Sequence, residues 1–176
     1  MIRIVTTGLA VALVAGAVVA AVSGPSRGPA PAGVAVPVPA TDEGSPAVLL
    51  SADAALHPAG SGVARQLQRY FDAINAGDYA GWASTVTSGR ADALPEKSWK
   101  AAYRSTRDGT IRVDRIDDLA GDAVLVRVRF ISIQAVDDAP PDLRVRRICW
   151  RSTMPMAGSP PRIGPTQGGS SVKEAC

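Results

Sequence analysis

The chain has 176 residues, a formal net charge of +3 and only 5% aromatic residues. That length suits one domain of roughly 110 residues with appendages, and the core is expected to draw mainly on Val, Ile, Leu and Ala. So mild a charge excludes nucleic acid as a specific partner unless the basic groups concentrate in one patch.

Met1-Ile2-Arg3 is a short basic start, and residues 4–22 follow it without a single charge. The run is long for the hydrophobic region of a signal peptide and just long enough for a membrane helix. Ala21-Val22-Ser23 supplies a small-x-small cleavage site before Gly24, so residues 1–23 read as a signal peptide or a membrane anchor. With Arg3 inside, either outcome places the rest of the chain outside the cytoplasm, as a secreted protein or a single-pass one with its N-terminus inside. No Cys directly follows the apolar run, which excludes a lipoprotein anchor.

Residues 24–60 are rich in Pro, Ala, Gly and Ser and read as a disordered, partly extended linker. Within them Ala47 to Leu56 can form a transient helix or dock on the domain. His57, the single histidine, has no partner residue near it in sequence, so it reads as a solvent-exposed spacer residue and not a general base.

The domain is expected to span residues 61–176. Val63, Leu67, Tyr70, Phe71 and Ile74 fall on one stripe of a 3.6-residue period, which predicts an amphipathic helix with Ser61 as its N-cap. Asn75-Ala76-Gly77 stops it, because Gly tolerates the left-handed conformation such a stop requires. Asp78 then caps a second helix that turns Tyr79, Trp82 and Val86 inward. Thr87-Ser88-Gly89 marks a loop. Pro95 opens a third helix with Trp99, Ala102 and Tyr103 on one side, and Asp108-Gly109 closes it.

Extended structure follows. Ile111 and Val113 alternate with charged residues, 117–122 is a turn, and Val124, Val126, Val128 and Phe130 form the inward face of the clearest strand. A last long strand is expected over about 143–153, with Pro155 ending it and Arg162-Ile163 adding a short edge strand. Three helices followed by an antiparallel meander give an α+β fold. Cys149 and Cys176 have no histidine at metal-ligand spacing, which argues against zinc and for one disulfide in an oxidising compartment. No metal or cofactor is expected.

The run Tyr70-Phe71-Asp72-Ala73-Ile74-Asn75-Ala76-Gly77-Asp78-Tyr79, followed by Trp82, resembles the opening of nuclear transport factor 2-like (SnoaL-like) domains. Cys149-Trp150 and the short strand near Arg162-Ile163 resemble exported actinobacterial members of that group. The resemblance covers Val63 to Gly164. It implies a cone, a curved antiparallel sheet wrapped around the long first helix and enclosing a pocket. Members include isomerases, cyclases and non-catalytic scaffolds, so the fold does not fix a function. Catalytic members use a pocket Asp, often aided by His, Tyr or Arg. Here the segment from Val86 to Leu94 is too short for a hairpin common in the family, which implies a shallower pocket.

The weak catalytic candidates are Asp72 and Asp114, with Tyr70 and Tyr103 as oxygen-binding donors. The inward positions of the clearest strand are apolar, so the reading favours a non-catalytic binding or scaffold domain of a cell-envelope, secretion or conjugation assembly. A small isomerase- or cyclase-type enzyme with a pocket carboxylate is the alternative. The candidate binding residues are Arg127, Arg129, Arg144 and Arg146, for an envelope or membrane protein or an anionic envelope polymer. The competing reading of these arginines is a solvated sheet face paired with Asp114, Asp117, Asp118 and Asp122. A homodimer stays open, as does membrane attachment through residues 4–22.

Overall fold

The apolar stripe at the head of the domain folds as expected. Helix α2 runs over Gly60–Ala76, and Val63, Leu67, Tyr70, Phe71, Ala73 and Ile74 are buried along it. Gly77 caps it in the left-handed region at φ 67°. Its start differs from the expectation. Ala59 is the N-cap, without a side-chain bond, and Ser61 lies inside the helix. Helix α3 (Tyr79–Thr85) begins at Asp78, whose carboxylate accepts from the amide of Gly81. Helix α4 (Ser88–Ala93) occupies the segment expected to be a loop. Helix α5 (Glu96–Ala102) follows Pro95 and buries Trp99.

The computed structural model describes residues 42–166 and 170–176; the expected signal or anchor at residues 4–22 lies outside them. The ordered domain starts before Ser61. Strand β1 (Leu49–Leu50) and helix α1 (Ala52–Leu56) fall in the segment expected to be a linker. Ser51 caps α1 through its hydroxyl, and its amide donates to Val113 O. Gln68 of α2 holds the same segment from the other side, accepting from Val48 N and donating to Pro46 O. His57 is correspondingly not a free spacer residue. Its Nδ1 accepts from Ala59 N at 3.1 Å and its Nε2 lies 3.2 Å from Asp118 Oδ1. Of the two outcomes open to residues 47–56, docking is the one found, held by these hydrogen bonds and by Ala54, Val48 and Leu50 packing on the core.

The sheet contains β2 (Arg107–Asp118), β3 (Val124–Ile133), β4 (Arg147–Ala157), β5 (Arg162–Ile163) and β6 (Ser171–Ala175). Its order is β1-β2-β3-β4-β5, with β6 also beside β4. Only β1 runs parallel to its neighbour; the pairs β2–β3, β3–β4, β4–β5 and β4–β6 are antiparallel. The helices pack on one face, and Val124, Val126 and Val128 enter the core from β3. The helical side of that core is aromatic, with Trp82 and Trp99 ring centroids 5.7 Å apart. This is an α+β fold.

Two departures on the sheet have clear causes. Strand β2 is longer than expected at both ends, because bulges between Gly109 and Arg112 and between Val113 and Arg115 break its alternation. Strand β4 continues through Pro155 because the Pro155 carbonyl accepts from Gly164 N on the far side from β3. A residue's N–H and C=O point the same way in a strand, so the missing N–H faces away from β3 and removes no bond from that ladder.

Candidate functional site

A cavity of about 480 Å³ lies between the helices and the inner face of the sheet, at the end where β2 begins and β3 ends. Its apolar wall includes Phe71, Ile74, Phe130 and Met154. Phe130 and Trp150, opposite one another in register, stack with centroids 6.1 Å apart and planes 12° apart. A larger hollow of about 800 Å³ borders the start of α2. Its charged side chains, Arg65, Arg69 and Asp122, are all exposed, so it lacks the desolvated groups that make a reactive site.

The smaller cavity holds such a group in Asp108, which is 2% exposed. Asp108 pairs in register with Ser132, and the Ser132 hydroxyl donates to its Oδ1. The backbone of Asp108 is clamped from α2, where Asn75 Oδ1 accepts from its amide at 2.7 Å and Asn75 Nδ2 donates to its carbonyl at 2.9 Å. Burial pushes the carboxyl up to about 7, against the opposing pull of the Ser132 hydrogen bond.

Two buried donors share the cavity wall with this carboxyl. Gln134 continues the inward alternation of Phe130 and Ser132 just past β3; it is 7% exposed, and its Nε2 is buried with no hydrogen-bond partner. Trp150 Nε1 is also buried and unpartnered. Since Asp108 stands opposite Ser132, Gln134 lies one inward position away on the side of the adjacent strand, about 7 Å along it. Trp150, opposite Phe130, lies one position the other way and two strands across.

On the helical wall Arg90 Nη2 donates to the Tyr70 hydroxyl at 3.3 Å, and Arg90 Nη1 to Gly164 O at 3.1 Å. The nearness of Tyr70, then burial, holds the Tyr103 phenol well above its ordinary value. Segment 136–141 forms a further wall. Its Asp138 is tied to the end of α5 by Arg104 and Ser105, and the Arg104 hydrogen bond is the main cause of its lowered carboxyl value. The C-terminal strand completes the wall with Ser171, whose hydroxyl lies 2.8 Å from that of Ser152. The disulfide between Cys149 and Cys176 fixes that strand to β4, as expected from sequence. Such a bond fits an oxidising, extracytoplasmic compartment.

Of the residues singled out in the sequence, Tyr70 and Tyr103 meet in the cavity. Asp72 lies on the exposed side of α2, accepting from Gln68. Asp114 lies on the outer sheet face, held by Arg112 at 3.3 Å and Arg129 at 3.2 Å. Arg127 sits beside Asp117 on the same face at 3.2 Å. Arg144 and Arg146 precede β4 instead of lying on it; Arg144 is exposed, and Arg146 pairs with Asp42 at 2.8 Å. Asp118 approaches His57, and Asp122 is exposed in the β2–β3 turn.

Sequence reasoning missed Asp108, Arg90 and Gln134. Asp108-Gly109 reads as a helix stop, and counting back from Val113 and Ile111 puts Gly109 inward. The bulge shifts the alternation, so Asp108 faces in instead. Thr110 marks it with a left-handed φ of 49°, its hydroxyl bonded to Glu43 O. Arg90 was hidden because α4 is a single short turn of helix. Only Gln134, two residues beyond Ser132 on the inward alternation, carried a usable signal.

Among the described residues no group of His, Cys, Asp and Glu could hold a metal ion, and no helix is long and apolar enough to cross a membrane. No protein-family model matches the chain, and no curated protein matches it.

Proposed function

We propose that the domain is a small acid–base catalyst of the isomerase or cyclase type, acting outside the cytoplasm on a bound carbonyl compound. The observation that carries this reading is Asp108, a buried carboxyl at the wall of a ligand-sized cavity, flanked by donors that lack partners. A carboxyl that titrates near neutrality is matched to taking a proton from carbon and returning it. When Asp108 removes a proton beside a carbonyl, negative charge moves to the carbonyl oxygen. Gln134 Nε2, the buried unpartnered donor nearer to Asp108 by register, is available to receive it largely out of water. Asn75 fixes the backbone of Asp108 so that its carboxyl keeps one direction. The pocket carboxyl with Tyr and Arg neighbours is the set implied by the resemblance to nuclear transport factor 2-like domains, and the mixed helix-and-sheet fold is compatible with their cone.

The test is proton exchange on a probe ketone. In deuterated water the protein should speed loss of the methyl protons of acetophenone, followed by NMR, with a rate that rises through a midpoint near pH 7. Asp108→Asn should return the rate to background. A folded protein that leaves the methyl signal at the uncatalysed rate at every pH overturns the proposal.

A second reading, an envelope scaffold that binds an anionic polymer or membrane protein, draws on the outer face. There Arg112 stands opposite Arg129 and Arg129 opposite Arg151. Like charges in register repel, and Asp114 and Glu174 offset them, so the face carries less free positive charge than its arginine count suggests.

A further inference from the structure

The helical wall of the cavity holds a charge that the proton-transfer chemistry leaves unused. Arg90 lines the cavity half-buried, and among the described residues no carboxylate lies within ion-pair distance of it. Its recorded partners are neutral, the Gly164 carbonyl and the Tyr70 hydroxyl, with the guanidinium carbon 5.7 Å from the centre of the Tyr70 ring. Guanidinium has five N–H donors, and those contacts occupy two of them.

The tyrosines add another donor. Tyr70 and Tyr103 line the cavity beside Arg90, and even where one hydroxyl donates to the other, one of their two protons remains for a third group. Arg90 donates into this pair and accepts nothing. The wall therefore offers, side by side, a cation with unused donors and a hydroxyl proton.

The other charges around the cavity do not cancel Arg90. Asp138 is held by Arg104 and Ser105. Asp108 is raised by its burial to about 7, so at and below neutral pH no more than about half of it carries a charge. In that range the cavity thus carries a surplus of positive charge and of donors. Guanidinium matches a carboxylate through two parallel hydrogen bonds. We infer that Arg90, with the free hydroxyl of the Tyr70–Tyr103 pair, is a carboxylate anchor, and that the substrate is an apolar-bodied oxo acid. Its carboxylate binds at the helical wall and its ketone lies at Asp108. The inference rests on the function proposed above and adds the substrate class.

Two probes of one shape separate the claims. 4-Acetylbenzoate carries a carboxylate and an exchangeable acetyl group; methyl 4-acetylbenzoate keeps the acetyl group and loses the charge. Binding is measured by calorimetry, and exchange of the acetyl protons by NMR, on the full chain. The wild type should bind the acid about tenfold or more tighter than the ester, the worth of a charged hydrogen bond. Arg90→Gln should bind both alike, and Arg90→Lys should retain most of the preference. If both probes bind and exchange with equal affinity, the anchor is refuted and the proton-transfer reading stands. If the acid keeps its advantage in a folded Arg90→Gln protein, Arg90 is not the anchor. If neither probe binds or exchanges, both proposals fall. Should Arg90→Gln not fold, the acid-to-ester ratio in the wild type and in Arg90→Lys still decides the matter.

Discussion

At Asp108 the two parts of one residue meet opposite conditions. Its amide and carbonyl are fully engaged by Asn75, while its carboxyl has the Ser132 hydroxyl and otherwise little but apolar surroundings. The neighbouring titratable groups are Tyr70, Tyr103, Arg90 and Asp138. A raised carboxyl means that between about pH 4 and pH 7 the folded state keeps a proton that the unfolded chain has lost. Stability therefore falls as pH rises through that window, by roughly 4 kcal/mol in all. Asn presents the same shape without the charge and can still accept from Ser132. Asp108→Asn should then melt higher than the wild type at pH 8, with the gap closing towards pH 4. An Asn variant that is less stable at pH 8 than the wild type would contradict this account. A carboxyl that the fold would be more stable without is the kind retained for chemistry.

Helix α2 links the apolar core to the site, because its buried stripe fixes the position from which Asn75 reaches β2. Replacing Asn75 with Ala leaves the Asp108 amide and carbonyl without those bonds, at a cost of roughly 2 kcal/mol. The bulge that aims Asp108 would loosen as well. Asn75→Ala should lower the melting temperature measurably and slow acetophenone exchange by more than it weakens probe binding. Equal losses in both would point to general destabilisation instead. This element was the most legible in the chain, since Val63, Leu67, Tyr70, Phe71 and Ile74 follow the helical period and all become buried. The start of β2 was the least legible. A bulge has no period, and the residues that fix it, Glu43 and Ser45, lie more than 60 positions earlier. Pro155 misled for a related reason: a proline's effect on a strand depends on which side its missing N–H faces, and that is set by the late partner Gly164.

On the scale of the molecule the sheet separates two kinds of chemistry. The inner face carries the cavity and the outer face a lattice of guanidinium and carboxylate groups, with Arg112 and Arg129 on Asp114 and Arg115 and Arg127 on Asp117. Exposed pairs contribute little to stability and are screened by salt. Replacing Arg127, Arg129, Arg144 and Arg146 together with Gln should leave a folded protein whose melting temperature shifts only slightly, by less in 1 M salt than in dilute buffer. A collapse of the fold would show that the outer face carries part of the architecture. The α+β class was readable in sequence, and so were Asp117 and Asp114 as partners of Arg127 and Arg129, because alternation and charge are local properties; Asp42, which pairs with Arg146, was not. The cavity was not, because its walls come from α2, α4, the end of α5, β2, β3 and the C-terminal strand.

The bond between Cys149 and Cys176 has a further consequence. It spans 27 positions, so β4 from Cys149 onward, β5 and β6 belong to one covalent ring. Peptide-bond cleavage inside that ring, for instance after the exposed Arg162, opens the ring without releasing anything. The severed C-terminal piece, with the Ser171 that borders the cavity, stays joined to Cys149 until a reductant reaches the bridge. In a compartment that holds proteases but few reductants, a nicked molecule of this kind keeps all its parts.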